Sequence, residues 1–186
     1  MTSSEHSANV LGALALVLHD RIADAVSEAA GQPENGAAAV SMLDSFLERP
    51  HVGLLHQALG LTPSGAVRMI DRLEGDGFLA RGPGADGRST SVRLTASGRR
   101  AARRLAAARV AVLSDALSVL SDEQRLALDE LVSTVLVGLM RGPDASRWMC
   151  RLCDSRACGH AEGACPVANE ARARYGYVPR KSTAAG

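Results

Sequence analysis

The stretch Thr62-Pro63-Ser64-Gly65-Ala66-Val67-Arg68-Met69-Ile70-Asp71-Arg72-Leu73-Glu74 carries the strongest local signal in the chain. A threonine hydroxyl can accept a hydrogen bond from the first free amides of a helix. Proline just after it costs nothing, because the N–H it lacks would be unsatisfied there anyway. A helix therefore starts at Thr62, and Gly75 and Gly77 stop it near Glu74. At about 100° per residue, Ala66, Val67, Ile70 and Leu73 collect on one side. Ser64, Gly65, Arg68 and Arg72 fall within a sector of roughly 100° on the other. Small polar groups at the N-terminal end and two arginines on the exposed face suit a DNA major groove. There an arginine can hold guanine through two hydrogen bonds, or a phosphate by charge. Thr62 and Ser64 lie where a helix N-terminus favours anions.

The surroundings extend this reading in both directions. Upstream, Val10, Leu11, Leu14, Val17, Leu18, Ile22 and Val26 recur at helical steps until Gly31-Gln32-Pro33. A second helix spans residues 37–47 and ends before Pro50; a short third spans 52–59 and breaks at Gly60. Downstream, residues 78–81 and 91–94 read as two extended segments around the turn Gly82-Pro83-Gly84-Ala85-Asp86-Gly87. Thr95 caps a long fifth helix reaching about Leu120, and Ser121-Asp122-Glu123-Gln124 is a capping box that opens a sixth, ended by Gly142-Pro143. Two short helices with a tight turn between them, followed by a basic hairpin, describe a winged helix-turn-helix with a two-stranded wing. The expected fold is mainly α, with long N- and C-terminal helices beside that unit.

Composition and charge agree. The 186 residues are 46% apolar, enough for a core, and only 3% aromatic, which disfavours a β-sandwich or a base-stacking platform. The early apolar run Ala13–Leu18 is too short to span a bilayer, and Met1–His6 lacks the features of a secretory signal. The expected compartment is the cytoplasm, with no membrane partner. Net charge is only +1, yet residues 1–60 carry a net −5 and residues 61–110 a net +6, with ten arginines. A basic middle block attracts nucleic acid, whereas Arg99–Arg109 alone reads equally well as a solvated helix face.

Four segments together resemble the MarR family of transcriptional regulators: Leu59-Gly60-Leu61-Thr62-Pro63-Ser64, then residues 71–81, then Asp86-Gly87-Arg88-Ser89, then Leu94-Thr95-Ala96-Ser97-Gly98. The resemblance covers about residues 10–142 and is densest over 52–98. It implies a homodimer paired through the first, fifth and sixth helices, on a pseudo-palindromic operator in double-stranded DNA. It also implies that Asp86 holds Arg88 in the minor groove at the wing tip. The physics is consistent, since a carboxylate two residues away can fix a guanidinium and a narrow groove attracts it. The DNA-facing set expected is Thr62, Ser64, Gly65, Arg68, Arg72, Arg81, Asp86, Arg88 and Ser89. His56 stands where helix-turn-helix proteins often carry a small residue, and reads as structural.

The C-terminal region is of another kind. All four cysteines lie in Cys150-x2-Cys153-x4-Cys158-x6-Cys165, followed by Pro166. Clustered cysteines in a cytosolic chain point to metal binding or redox chemistry sooner than to disulfides. Four thiolates can close a tetrahedral zinc site or hold an iron–sulfur cluster, and Arg147, Arg151 and Arg156 offset the negative charge. Only one Cys-x2-Cys knuckle is present where zinc sites commonly pair two. The spacing and the following proline are also similar to the superoxide-responsive iron–sulfur regulators of the MerR family, whose gaps of two, one and five differ from the two, four and six here. Iron–sulfur is therefore preferred, with Zn²⁺ as the alternative. His160 could replace one cysteine but reads as a polar surface residue.

The sequence thus divides into an N-terminal dimerisation helix (1–34), a winged helix-turn-helix (35–98), C-terminal dimerisation helices (99–145), a cysteine-rich extension (146–170) and a flexible tail (171–186). The expected function is a DNA-binding repressor whose cysteine centre, docked at the end of the sixth helix, senses redox or iron status. One rival keeps DNA binding, makes the metal a structural zinc and takes a small-molecule effector as the signal. An enzyme is not expected: a thiol oxidoreductase would need a βαβ context that is absent, and no Ser/His/Asp constellation or phosphate loop occurs.

Overall fold

The computed structural model describes residues 2–47, 50–84, 89–143 and 145–176. The described chain runs α1 (Ser3–Ala30), α2 (Glu34–Ser45), α3 (Val52–Ala58), α4 (Pro63–Gly75), β1 (Leu79–Pro83), β2 (Thr90–Leu94), α5 (Ala96–Leu117), α6 (Asp122–Gly138), α7 (Ala145–Met149) and α8 (Pro166–Tyr175). The fold is mainly helical, with one two-stranded antiparallel sheet among the described residues.

α1 begins seven residues before its apolar repeat, which starts at Val10. The cause is a capping box: the Thr2 hydroxyl accepts from the Glu5 amide and the Glu5 carboxylate accepts from the Thr2 amide at 2.7 Å. Thr62, Thr95 and Ser121 cap α4, α5 and α6 as their sequences predict.

One core lies where α1, α2, α4, α5 and the sheet meet. It contains Val26, Val40, Met42, Leu55, Ile70, Leu73, Val92 and Leu105, all essentially inaccessible to solvent. Burial on this scale, at about 25 cal/mol per Å² of apolar surface, holds the winged unit to the lower halves of α1 and α5. The sheet is anchored at its base. Leu79 pairs with Leu94 and Pro83 with Thr90, and the Thr95 hydroxyl donates to the Gly77 carbonyl at 2.7 Å. A Cβ at Gly98 would collide with the Phe78 carbonyl oxygen, so glycine lets α5 close onto the start of β1.

The other ends of the long helices are bare. No residue of α6 is buried. Leu126, Leu131, Val132 and Val135 of α6 lie exposed, with Val10, Leu11, Leu14 and Val17 of α1 and Val110 and Leu117 of α5. A folded chain rarely leaves so large an apolar surface open to water.

A second, smaller core joins the end of α6 to the extension: Met140, Ala145, Cys165, Val167, Ala168 and Ala171, flanked by Leu136, Met149 and Cys158. The extension is therefore built on two helices of its own, and α8 stays ordered past residue 171, where fraying is expected. Residues 177–186 of the expected flexible tail lie outside the described residues. Among the described residues no helix is long and apolar enough to cross a membrane.

Candidate nucleic-acid interface and cysteine centre

α4 presents a polar face built by its own cap. The Thr62 hydroxyl accepts from the Gly65 amide at 3.1 Å and lies 3.4 Å from the Ser64 hydroxyl. Ser64, Arg68 and Arg72 are exposed, while Ala66, Met69, Ile70 and Leu73 are buried. The sequence places Val67 on the buried side; instead it is 45% exposed and Met69 takes its place in the core. The angles account for the exchange. Met69 falls about 40° beyond Leu73 on one edge of the buried sector, whereas Val67 falls about 60° beyond Ile70 on the other, toward Asp71 and Ser64. Val67 is thus a member of the exposed face that sequence reasoning missed. Among the described residues neither Arg68 nor Arg72 makes an ion pair, and both border a cleft of about 250 Å³ shared with Gln32 and Asn35 at the start of α2.

The wing stands beside this face. Arg81 on β1 is exposed but not free: its guanidinium reaches back to Asp71 and Glu74 of α4. The hydrogen bond to Asp71 heads the causes that raise its pKa above the ordinary arginine value. Arg81 therefore ties the wing to the recognition-type helix. The hairpin narrows at Gly84, whose amide donates to the Ser89 carbonyl at 2.8 Å. Asp86 and Arg88, expected at the wing tip, lie outside the described residues.

In the extension the four thiols stand as two interacting pairs. Cys150 hydrogen-bonds with Cys153, and Cys158 with Cys165. Within each pair the shared hydrogen bond favours one thiolate, bringing Cys153 down to about 7 and Cys165 down to about 6. It pushes Cys150 and Cys158 far above the ordinary thiol range. The Arg109 guanidinium on α5 also favours the Cys153 thiolate, and the amides of Ala168 and Val167 at the start of α8 favour that of Cys165. The charges of the two pairs act on one another. Among the described residues, no group of three or more His, Cys, Asp or Glu side chains is already gathered to hold an ion. The donor set of four thiols, with Arg109 near Cys153, fits a soft-metal centre of the zinc or iron–sulfur type. His160 is less peripheral than its sequence suggests. Its Nε2 is buried without a partner among the described residues, and its ring meets Phe46 edge-on at 6.2 Å.

The extension docks more widely than at the end of α6. The Ser45 hydroxyl at the end of α2 donates to the Cys153 carbonyl at 3.0 Å. Arg156 spans from Asp154 (3.2 Å) to Asp44 on α2 (3.5 Å), and Arg151 reaches Glu34 at 3.8 Å. Met149, Leu152 and Cys153 form one wall of a cleft of about 180 Å³ whose other walls include His19, Ile22 and Arg109. The side chain of Arg147 lies outside the described residues.

No protein-family model matches the chain, and no curated protein matches it by sequence. Solved structures do match. RV1404 from Mycobacterium tuberculosis is similar at a TM-score of 0.64 and 20% identity, over 73% of this chain and 93% of that one. MepR, a transcription regulator of the Staphylococcus aureus multidrug efflux pump MepA, is similar at 0.61 and 16%, over 75% and 100%. Sco3205, a MarR family transcriptional regulator from Streptomyces coelicolor solved in complex with DNA, is similar at 0.58 and 24%, over 76% and 91%. At these identities the likeness is one of architecture: the chain has the winged-helix fold of MarR-family transcriptional regulators.

Proposed function

We propose that the chain is a homodimeric DNA-binding transcriptional regulator, a repressor, whose four cysteines hold an iron–sulfur centre that reports redox or iron status. The observation that carries the DNA-binding part is the placement of Ser64, Arg68 and Arg72 on one exposed face of α4 with the β1–β2 hairpin beside it. Exposed arginines that make no ion pair among the described residues are available to a phosphate or a guanine edge. That a protein of this fold, Sco3205, was solved with DNA supports the reading.

Homodimerisation rests on the exposed apolar faces of α1, α5 and α6. A second copy that covers Leu131, Val132 and Val135 would bury them and set two α4 helices side by side. Two such helices reach successive major grooves when about 34 Å apart. The test is a footprint on the DNA upstream of the chain's own gene. Two protected half-sites one helical turn apart support the reading; a single short footprint contradicts the dimer.

The metal part rests on the paired thiols and on Arg109 beside them. When bound, an iron–sulfur cluster supplies a centre whose charge and integrity depend on electron transfer. Cys150, Cys153, Cys158 and Cys165 would hold it, and Arg109 would offset its negative charge. Purification without air should give a brown protein with iron and sulfide. A colourless protein with one zinc per chain supports the second reading, a structural zinc with a small-molecule effector. The cleft of about 180 Å³ beside His19, Ile22 and Arg109 favours that reading.

A further inference from the structure

We infer that metal binding at the four cysteines staples the C-terminal end of α2 to the end of α6, so that occupancy of the centre sets how firmly the winged unit is held against the dimer helices. This rests on the four-cysteine metal reading above and adds the route by which the metal would be felt. The cysteine-rich extension touches two bodies, the small core at the end of α6 and the end of α2. Cys158 and Cys165 are part of the small core with Met140 and Leu136, at the end of α6. Cys153 is fastened to the other side, through its carbonyl, to Ser45 of α2. A metal centre that takes all four thiolates joins the two pairs and hence the two helices.

Without it, the junction with α2 depends on contacts that are weak one by one. The Arg156–Asp44 pair is 3.5 Å long, with the Arg156 side chain 64% exposed. The Arg151–Glu34 pair is 3.8 Å long and likewise partly exposed. Solvent-exposed pairs of this kind contribute little to stability. The Ser45 hydrogen bond and the Phe46–His160 ring contact remain, each between side chains at the last turn of α2 and a loop with little core of its own. A junction held this lightly opens locally long before the main core does. Closing the thiol pairs around one ion removes that freedom. The end of α2 is the lever that matters, because Met42 and Leu43 sit in the same core as Ile70 and Leu73 of α4.

The experiment is hydrogen exchange on the full chain, stripped with a chelator under reducing conditions and then given one equivalent of Zn²⁺, a redox-silent probe for four thiolates. Loading should slow exchange at residues 41–46 by about tenfold, within the usual range of coupling between sites. Residues 66–73 of α4 should change less than twofold. A second sample carries Asp44→Ala and Ser45→Ala, which lie outside the ligand set. It should still bind one Zn²⁺ and lose most of the protection at 41–46. Zinc uptake with no change at α2, an equal change throughout the core, or full protection in the variant would each overturn the staple. Failure of the wild-type chain to take up Zn²⁺ would overturn the metal reading itself, and the staple with it.

Discussion

The Ser45 hydroxyl meets the Cys153 carbonyl at 3.0 Å across 108 residues of chain. This contact, with Arg156 on Asp44 beside it, places the cysteine-rich extension against the winged-helix half of the molecule as well as against α6. A metal at the cysteines therefore has something to act on at both ends.

Metal removal should lower thermal stability measurably. A ligand present at a hundred times its dissociation constant stabilises the folded state by about 2.7 kcal/mol. For a chain of this length that corresponds to roughly 5–10 °C in Tm. Cys153→Ser, which leaves three thiols, should show the stripped chain's Tm whether or not metal is added. Thermal unfolding followed by circular dichroism checks this, and a Tm indifferent to chelator contradicts it.

Arg81 should behave as a structural tie. Its guanidinium is shared between Asp71 and Glu74, and Arg81→Ala leaves those two carboxylates facing each other without a cation. The expected loss is about 1 kcal/mol of stability, since the side chains are substantially exposed. DNA affinity should fall less than for Arg68→Ala. Paired urea denaturation and anisotropy titrations separate the two effects; the opposite order would make Arg81 a direct DNA contact.

The bare face of α6 predicts self-association. Val132→Glu or Val135→Glu, placing a charge among the exposed apolar residues of α6, should weaken the dimer at least a hundredfold, about 2.7 kcal/mol. Sedimentation should give a dimer for the parent chain at micromolar concentration and a monomer for the variants. A monomeric parent chain would leave those leucines and valines unexplained.

Val67 should read sequence. An exposed valine between Ser64 and Arg68 can touch a thymine methyl group in the major groove. Val67→Ser should cost about 1 kcal/mol at one base pair of the site and nothing elsewhere. A panel of operator variants measures this, and a uniform loss across all positions would instead mark Val67 as packing.

The parts of this structure legible in the sequence are those governed by short-range chemistry. Thr62-Pro63, Thr95 and the Ser121–Gln124 box each specify a helix start because the capping atoms lie within three residues of the amides they satisfy. The α1 cap at Thr2 and Glu5 obeys the same chemistry but lies well ahead of the apolar repeat beginning at Val10, in a polar stretch with no periodic signal to mark it as helix. Val67 and Met69 exchange places because two residues near the edge of a buried sector differ little by angle alone. The grip of Arg81 on α4 depends on how the antiparallel strand turns back, and the docking of Cys153 on Ser45 joins residues far apart in sequence; neither leaves a local pattern. α8 is short and polar on most of its surface, so it lacks an apolar repeat, and its buried residues Val167, Ala168 and Ala171 are mostly small.

The central claim is that α4 and the wing meet duplex DNA, and a salt titration tests it most directly. Binding to DNA from upstream of the chain's own gene is followed by fluorescence anisotropy between 50 and 200 mM salt, a range in which six to ten phosphate contacts cost about 10³–10⁵ in affinity. The account predicts a steep linear fall of log affinity with log salt. Arg68→Ala and Arg72→Ala should each either flatten the slope by about one, as a phosphate contact would, or cost about 1–3 kcal/mol at a single base pair. No binding at low salt, or binding unchanged when both arginines are removed, would contradict it.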